Sequence, residues 1–66
     1  MTPKYPNVKV QLSDVDSMPF AILGRVDAAL KEAGIDGDER KAFFVEATSS
    51  NYDHLLQTAI EWVEVS

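Results

Sequence analysis

Between Asn7 and Leu12 the chain alternates: Val8, Val10 and Leu12 fall on one side, Asn7, Lys9 and Gln11 on the other. A period of two is that of a half-buried strand with solvent on its second face. Pro3 and Pro6 make residues 1–6 an extended lead-in. From Met18 the period becomes helical. Ile22, Leu23, Val26, Ala29, Leu30 and Ala33 share one face, with Phe20 at its margin and Arg25, Asp27, Lys31 and Glu32 outside it. That spacing predicts a helix from Met18 to Ala33. In the loop Ser13–Ser17, Asp16 or Ser17 can serve as N-cap, and Pro19 falls in the first turn, where its missing N–H costs nothing. Asp27 and Lys31 form an i,i+4 pair. Gly24 interrupts the helix pattern. It costs about 1 kcal/mol relative to Ala, and either the close approach of another backbone or simple exposure accounts for it.

Gly34 suits the left-handed position that ends a helix, with Ile35 folding back onto the last turn. Asp36 then caps a second helix, with Glu39 three residues on as in a capping box. This helix runs to about Thr48 and buries Phe43, Phe44 and Ala47, leaving Val45 and Glu46 off the face. The run Thr48–Asn51 breaks it, and Ser50 or Asn51 caps a third helix with Asp53 in its first turn. Tyr52, Leu55, Leu56, Ala59 and Ile60 follow helical spacing there. Past Glu61, Val63 and Val65 alternate with Trp62 and Glu64, which predicts a short strand from Trp62 to Val65. The expected fold is therefore α+β: one domain over 1–66, ordered β-α-α-α-β, with three helices packed on a two-stranded sheet made by the terminal strands. A two-stranded sheet needs such cover to be stable. The pattern leaves the relative direction of the strands open.

Composition narrows the function classes. A 66-residue chain has room for one core and little left for a deep substrate cavity. The absence of cysteine removes disulfides and thiolate chemistry and fits a reducing cytosol. No apolar run approaches the roughly 18 to 20 residues that span a bilayer, and the opening residues contain no apolar leader. The expectation is a cytoplasmic protein.

The net charge is −5, and it is unevenly placed. Up to Gly34, Lys4, Lys9, Arg25 and Lys31 balance Asp14, Asp16, Asp27 and Glu32. Beyond it, Arg40 and Lys41 face Asp36, Asp38, Glu39, Glu46, Asp53, Glu61 and Glu64. Direct binding to nucleic acid or an anionic membrane is disfavoured, while a protein partner with a basic surface is permitted; acidic charge also serves simply to keep a small protein soluble. Asp36, Asp38 and Glu39 also have a local reason to exist, since a helix N-terminus favours anions. The candidate partner-binding face is therefore Glu46, Asp53, Glu61 and Glu64, with Asp36, Asp38 and Glu39 as a second patch.

Reactive chemistry is sparse. His54 is the only histidine; Ser49, Ser50, Thr48 and Thr58 lie near it in sequence, but adjacency is not triad geometry. Asp14-Val-Asp16 and Asp36-Gly-Asp38 do not continue into a calcium loop. Three isolated glycines make no phosphate cradle. The helix after Gly34 opens Asp-Gly-Asp-Glu, which would meet DNA phosphates with like charge. No catalytic residue, metal site or cofactor is expected. Tyr52 and Trp62 read as structural aromatics before they read as interface residues.

The segments Tyr5-Pro-Asn-Val-Lys-Val-Gln-Leu, Phe20-Ala-Ile-Leu-Gly-Arg-Val and Glu46-Ala-Thr-Ser-Ser-Asn-Tyr-Asp-His-Leu-Leu-Gln-Thr resemble those of small proteins of bacteria, phages and other mobile elements. By type rather than by motif, the chain also resembles small acidic anti-CRISPR proteins. That second resemblance implies a monomeric, non-enzymatic inhibitor that occupies a basic, DNA-handling surface of a type I CRISPR surveillance complex. It transfers no contact residue. The competing expectation is a self-associating or scaffold module that uses an exposed strand edge or Val45.

Overall fold

The structure, a computed structural model, describes residues 2–12 and 18–65. Its elements are β1 (Tyr5–Val10), α1 (Pro19–Glu32), α2 (Gly37–Ala47), α3 (Tyr52–Trp62) and β2 (Val63–Val65). The order is the expected β-α-α-α-β, and the two strands pair with each other. They run parallel, so the three helices together form the crossover between them.

The first strand begins earlier than alternation predicts, at Tyr5 rather than Asn7, and it ends at Val10 rather than Leu12. The reason is a change of parity. Tyr5, Val8 and Val10 turn toward the core, yet Tyr5 and Val8 are an odd number of residues apart. The register absorbs this: Tyr5 pairs with Val63, but Lys9 pairs with Glu64 and Val10 with Val65. Pro6, Asn7 and Val8 thus lie in a bulge opposite a single step of β2. A proline is tolerated at a bulge because it has no N–H to give to a ladder. Leu12 lies beyond the strand but still packs against the core.

Helix α1 matches its predicted span within a residue at each end. Its N-cap is Met18, which makes no side-chain capping bond; the alternatives Asp16 and Ser17 lie outside the described residues. The helix ends in a Schellman turn: Gly34, at φ 86°, donates to Lys31 O at 3.0 Å, and Ile35 N donates to Leu30 O at 3.0 Å. Asp36 caps α2 through Glu39 N at 2.9 Å, and Asn51 caps α3 through His54 N at 3.0 Å. The return half of the expected capping box does not form, because the Glu39 carboxylate is engaged by Tyr5 and Lys4.

The core is Val8, Val10, Ile22, Leu23, Val26, Leu30, Phe43, Ala47, Leu55, Ala59 and Val63. It lies between the helices and one face of the sheet, while Asn7, Lys9 and Glu64 leave the other face to water. Several predicted core positions are outside it. Phe44 is 47% exposed, Ile60 52% and Phe20 77%; Tyr52 and Ala33 are also exposed. In α2 three consecutive apolar residues, Phe43 to Val45, cannot share one face of a helix, and the core takes Phe43. Asp27 pairs with Arg40 across the α1/α2 contact at 3.4 Å, not with Lys31 along its own helix. The predicted strand start at Trp62 is instead the last helical residue, and Val63 turns extended at φ −134°, ψ 164°. The helix feeds the strand with no loop between them.

Candidate functional site

Helix α3 sets out the acidic residues that the sequence singles out. Asp53, Gln57, Ile60 and Glu61 are all exposed. At about 100° per residue they fall within a stripe roughly 100° wide, with Asp53, Gln57 and Glu61 along the outer face of the helix and Ile60 at one edge of it. α2 and α3 pack as an antiparallel hairpin. At one end His54 Nε2 lies 3.0 Å from Glu46 O; at the other, Lys4 Nζ reaches Glu39 at 3.3 Å and sits 4.3 Å from the Trp62 ring centre. Glu46 therefore stands close to the Asp53 end of the stripe. Glu46, Asp53 and Glu61 form no ion pair among the described residues.

The remaining acids separate from this group. Glu64 points from β2 toward Lys9, with 3.9 Å between charges. Asp36 and Asp38 lie at the N-terminal end of α2, and Asp36 is occupied with capping. Glu39 is the most engaged of all. It accepts the Tyr5 hydroxyl at 2.7 Å and pairs with Lys4, while the Trp62 ring lies tilted against Tyr5 at 5.9 Å between centres and meets Phe43 edge-on at 5.4 Å. Tyr5 is raised above its ordinary value of 10.0 chiefly because its hydroxyl is held by the Glu39 carboxylate. Glu39 is lowered from 4.5 chiefly by that same bond; Lys4 adds to the lowering and partial burial opposes it. Glu39 thus belongs to a cluster that fastens β1 to α2.

His54 has a comparable local task. Its Nε2 lies 3.0 Å from Glu46 O and 3.2 Å from Ser49 Oγ, and Ser49 Oγ itself donates to Glu46 O at 2.8 Å. Both groups converge on the Glu46 carbonyl near the end of α2, which also accepts from Ser49 N at 3.3 Å. A ring N–H donated there leaves Nε2 no lone pair with which to take a proton from Ser49. Among the described residues no three His, Asp or Glu side chains gather as metal ligands would; Asp14 and Asp16 lie outside those residues. No helix of the described residues is long and apolar enough to cross a membrane.

Compared with protein-family models, curated proteins and solved structures, the chain matches none.

A second surface feature did not emerge from the sequence. Between α1 and α2 runs a furrow of about 250 Å³ lined by Phe20, Leu23, Gly24, Asp27, Arg40, Phe43 and Phe44. Phe20, Gly24 and Asp27 form an i, i+4, i+7 row on one wall, and Arg40 and Phe44 an i, i+4 row on the other. The sequence signal for it was Gly24, an interior helix glycine.

Proposed function

We propose that the protein is a non-catalytic binding domain that presents the outer face of α3 to a basic surface of a partner protein. The observation carrying this reading is that Asp53 and Glu61 share the exposed face of α3 with Ile60 at its edge, with Glu46 nearby and no ion pair to any of the three carboxylates among the described residues. Three unpaired carboxylates steer a small protein toward positive charge, and an exposed apolar residue at the edge of the stripe gives the encounter a point to hold. A groove built for nucleic acid is the basic surface that such a face fits best. This supports an anti-CRISPR type of inhibitor, acting in a bacterial cell on the DNA-handling surface of a type I surveillance complex. Glu64, Asp36 and Asp38 are secondary contributors, and Glu39 is least available because Tyr5 and Lys4 hold it.

The experiment is competition for DNA binding by purified type I surveillance complexes at low salt. The native protein should displace DNA. Combined Glu46→Lys, Asp53→Lys and Glu61→Lys should abolish displacement while leaving the melting temperature near the native value. A folded triple variant that competes equally well, or a native protein without effect in molar excess, refutes the reading.

The competing reading is a self-associating module. Val45 is 57% exposed, and a two-stranded sheet leaves an outer edge on each strand. Sedimentation equilibrium decides: a strict monomer at high micromolar concentration removes it.

A further inference from the structure

The N-terminal segment is tied to the end of α3, where Lys4 N donates to Glu61 O at 2.8 Å. Beside that tie a recess of about 470 Å³ opens, lined among the described residues by Thr2, Gln57, Ile60 and Glu61. Three of these four side chains carry hydrogen-bond acceptors: the Glu61 carboxylate, the Gln57 amide oxygen and the Thr2 hydroxyl. Ile60 adds an apolar wall. Gln57 and Glu61 are i,i+4 neighbours on α3, which places their Cβ atoms about 5–6 Å apart.

The charge in this recess is available. Glu61 has no ion pair among the described residues. Lys4 meets the Glu61 carbonyl only through its backbone; its ammonium is held 3.3 Å from Glu39 and 4.3 Å from the Trp62 ring centre. A free carboxylate repels phosphate and carboxylate ligands, so the recess selects a cation. All four lining residues are exposed. Such a recess does not enclose a small molecule as a mostly apolar pocket does. It can receive a side chain carried in on another surface.

We infer that the recess takes an arginine side chain of the partner protein. The inference rests on the reading of α3 as the partner-binding face and gives that face its anchor. The guanidinium bridges Glu61 and Gln57, and its aliphatic stem lies on Ile60 beside Thr2. Arginine fits better than lysine, because its planar fork spans two acceptors at once whereas an ammonium is a compact, strongly hydrated charge. A second copy of this chain is the poorer occupant. Its net charge of −5 repels, and of its two arginines Arg40 is already paired with Asp27.

The test is an NMR titration of the ¹⁵N-labelled protein at low salt with three blocked tripeptides, Gly-Arg-Gly, Gly-Lys-Gly and Gly-citrulline-Gly. The arginine peptide should give saturable shifts at Thr2, Gln57, Ile60 and Glu61. The lysine peptide should bind more weakly, and the neutral citrulline peptide should give no saturable shift. Glu61→Gln should weaken arginine binding about tenfold, the scale of one charge-assisted hydrogen bond. Asp53→Asn removes the same charge from α3 outside the recess and should change binding by less than about twofold. Thr2→Trp fills the recess without touching its charge and should block binding at an unchanged melting temperature. The inference is overturned if the three peptides behave alike, if Glu61→Gln and Asp53→Asn weaken binding equally, or if binding survives Thr2→Trp. It is also overturned if the protein alone self-associates and Thr2→Trp dissociates it, which gives the recess to Arg25 of a second copy. If the tripeptides shift nothing while octalysine shifts Glu46, Asp53 and Glu61 alike, the recess fails and the α3 face stands. If octalysine shifts nothing on α3 either, both readings fail.

Discussion

The Tyr5 hydroxyl donates to Glu39 Oε2 at 2.7 Å, joining the start of β1 to the first turn of α2. Around this bond Lys4 pairs with Glu39 and lies over Trp62, and Trp62 leans on Phe43, so one contact links a strand, two helices and the core.

This bond makes stability depend on pH at both extremes. Glu39 is lowered from 4.5 in the fold, so its contribution is present above that value and is lost as pH falls through the lower folded value. Tyr5 is raised from 10.0, so its contribution is present below that value and is lost as pH climbs through the higher folded one. Melting followed by circular dichroism across pH should show both limbs. Glu39→Gln should lower the neutral-pH midpoint and flatten the acid limb. An acid limb as steep as the native one would remove Glu39 as its cause.

Neighbouring phenylalanines should differ sharply. Phe43 is 1% exposed and Phe44 47%. Phe43→Ala should cost about 3–5 kcal/mol, comparable to the whole stability of a domain this small, and leave the chain largely unfolded. Phe44→Ala should stay within about 0.5 kcal/mol of native. Urea unfolding of the two variants checks the contrast; equal losses would mean that the core is misassigned.

The two glycines of α1 and its C-terminal turn should respond with opposite signs. Gly34 sits at φ 86°, so Gly34→Ala should destabilise by about 1–2 kcal/mol. Gly24 has open space at its Cβ position, so Gly24→Ala should stabilise by about 0.5–1 kcal/mol. Denaturant midpoints measured at one temperature test both.

Removing the Asn51 side chain should weaken α3 alone. Asn51→Ala leaves the His54 N–H without the Asn51 Oδ1 to which it now donates and should cost about 1 kcal/mol. Amide exchange is the suitable measurement, with faster exchange concentrated in the first turn of α3. Uniform acceleration across all three helices would show that the cap acts on global stability instead.

The caps at Asp36 and Asn51, the turn at Gly34 and the element order were legible in the sequence because each rests on residues three or four apart. Phe44 and Ile60 were misplaced for a different reason. Helical spacing shows which residues can share a face, but neighbouring elements decide how wide a face is covered. The bulge that carries β1 through Pro6 was hidden because simple alternation cannot register an extra residue. The acidic set was only half legible. Lys4 pairs with Glu39, 35 residues on, and Lys9 with Glu64 near the other end of the chain, pairings that a charge count by segments cannot see. Glu46, Asp53 and Glu61 kept the character that the count assigned to them.

The parallel pairing of β1 with β2 imposes an order in time. Tyr5–Val10 is synthesised first, yet its ladder partner Val63–Val65 is made after all three helices. The helices close through local contacts, whereas the sheet must wait for the longest loop closure in the fold. Until then, Val8 and Val10 sit on a strand open to any other unpaired edge. The three residues after Trp62 therefore act as a latch, and a chain stalled or cut just before them should aggregate through β1 even though its helices have formed.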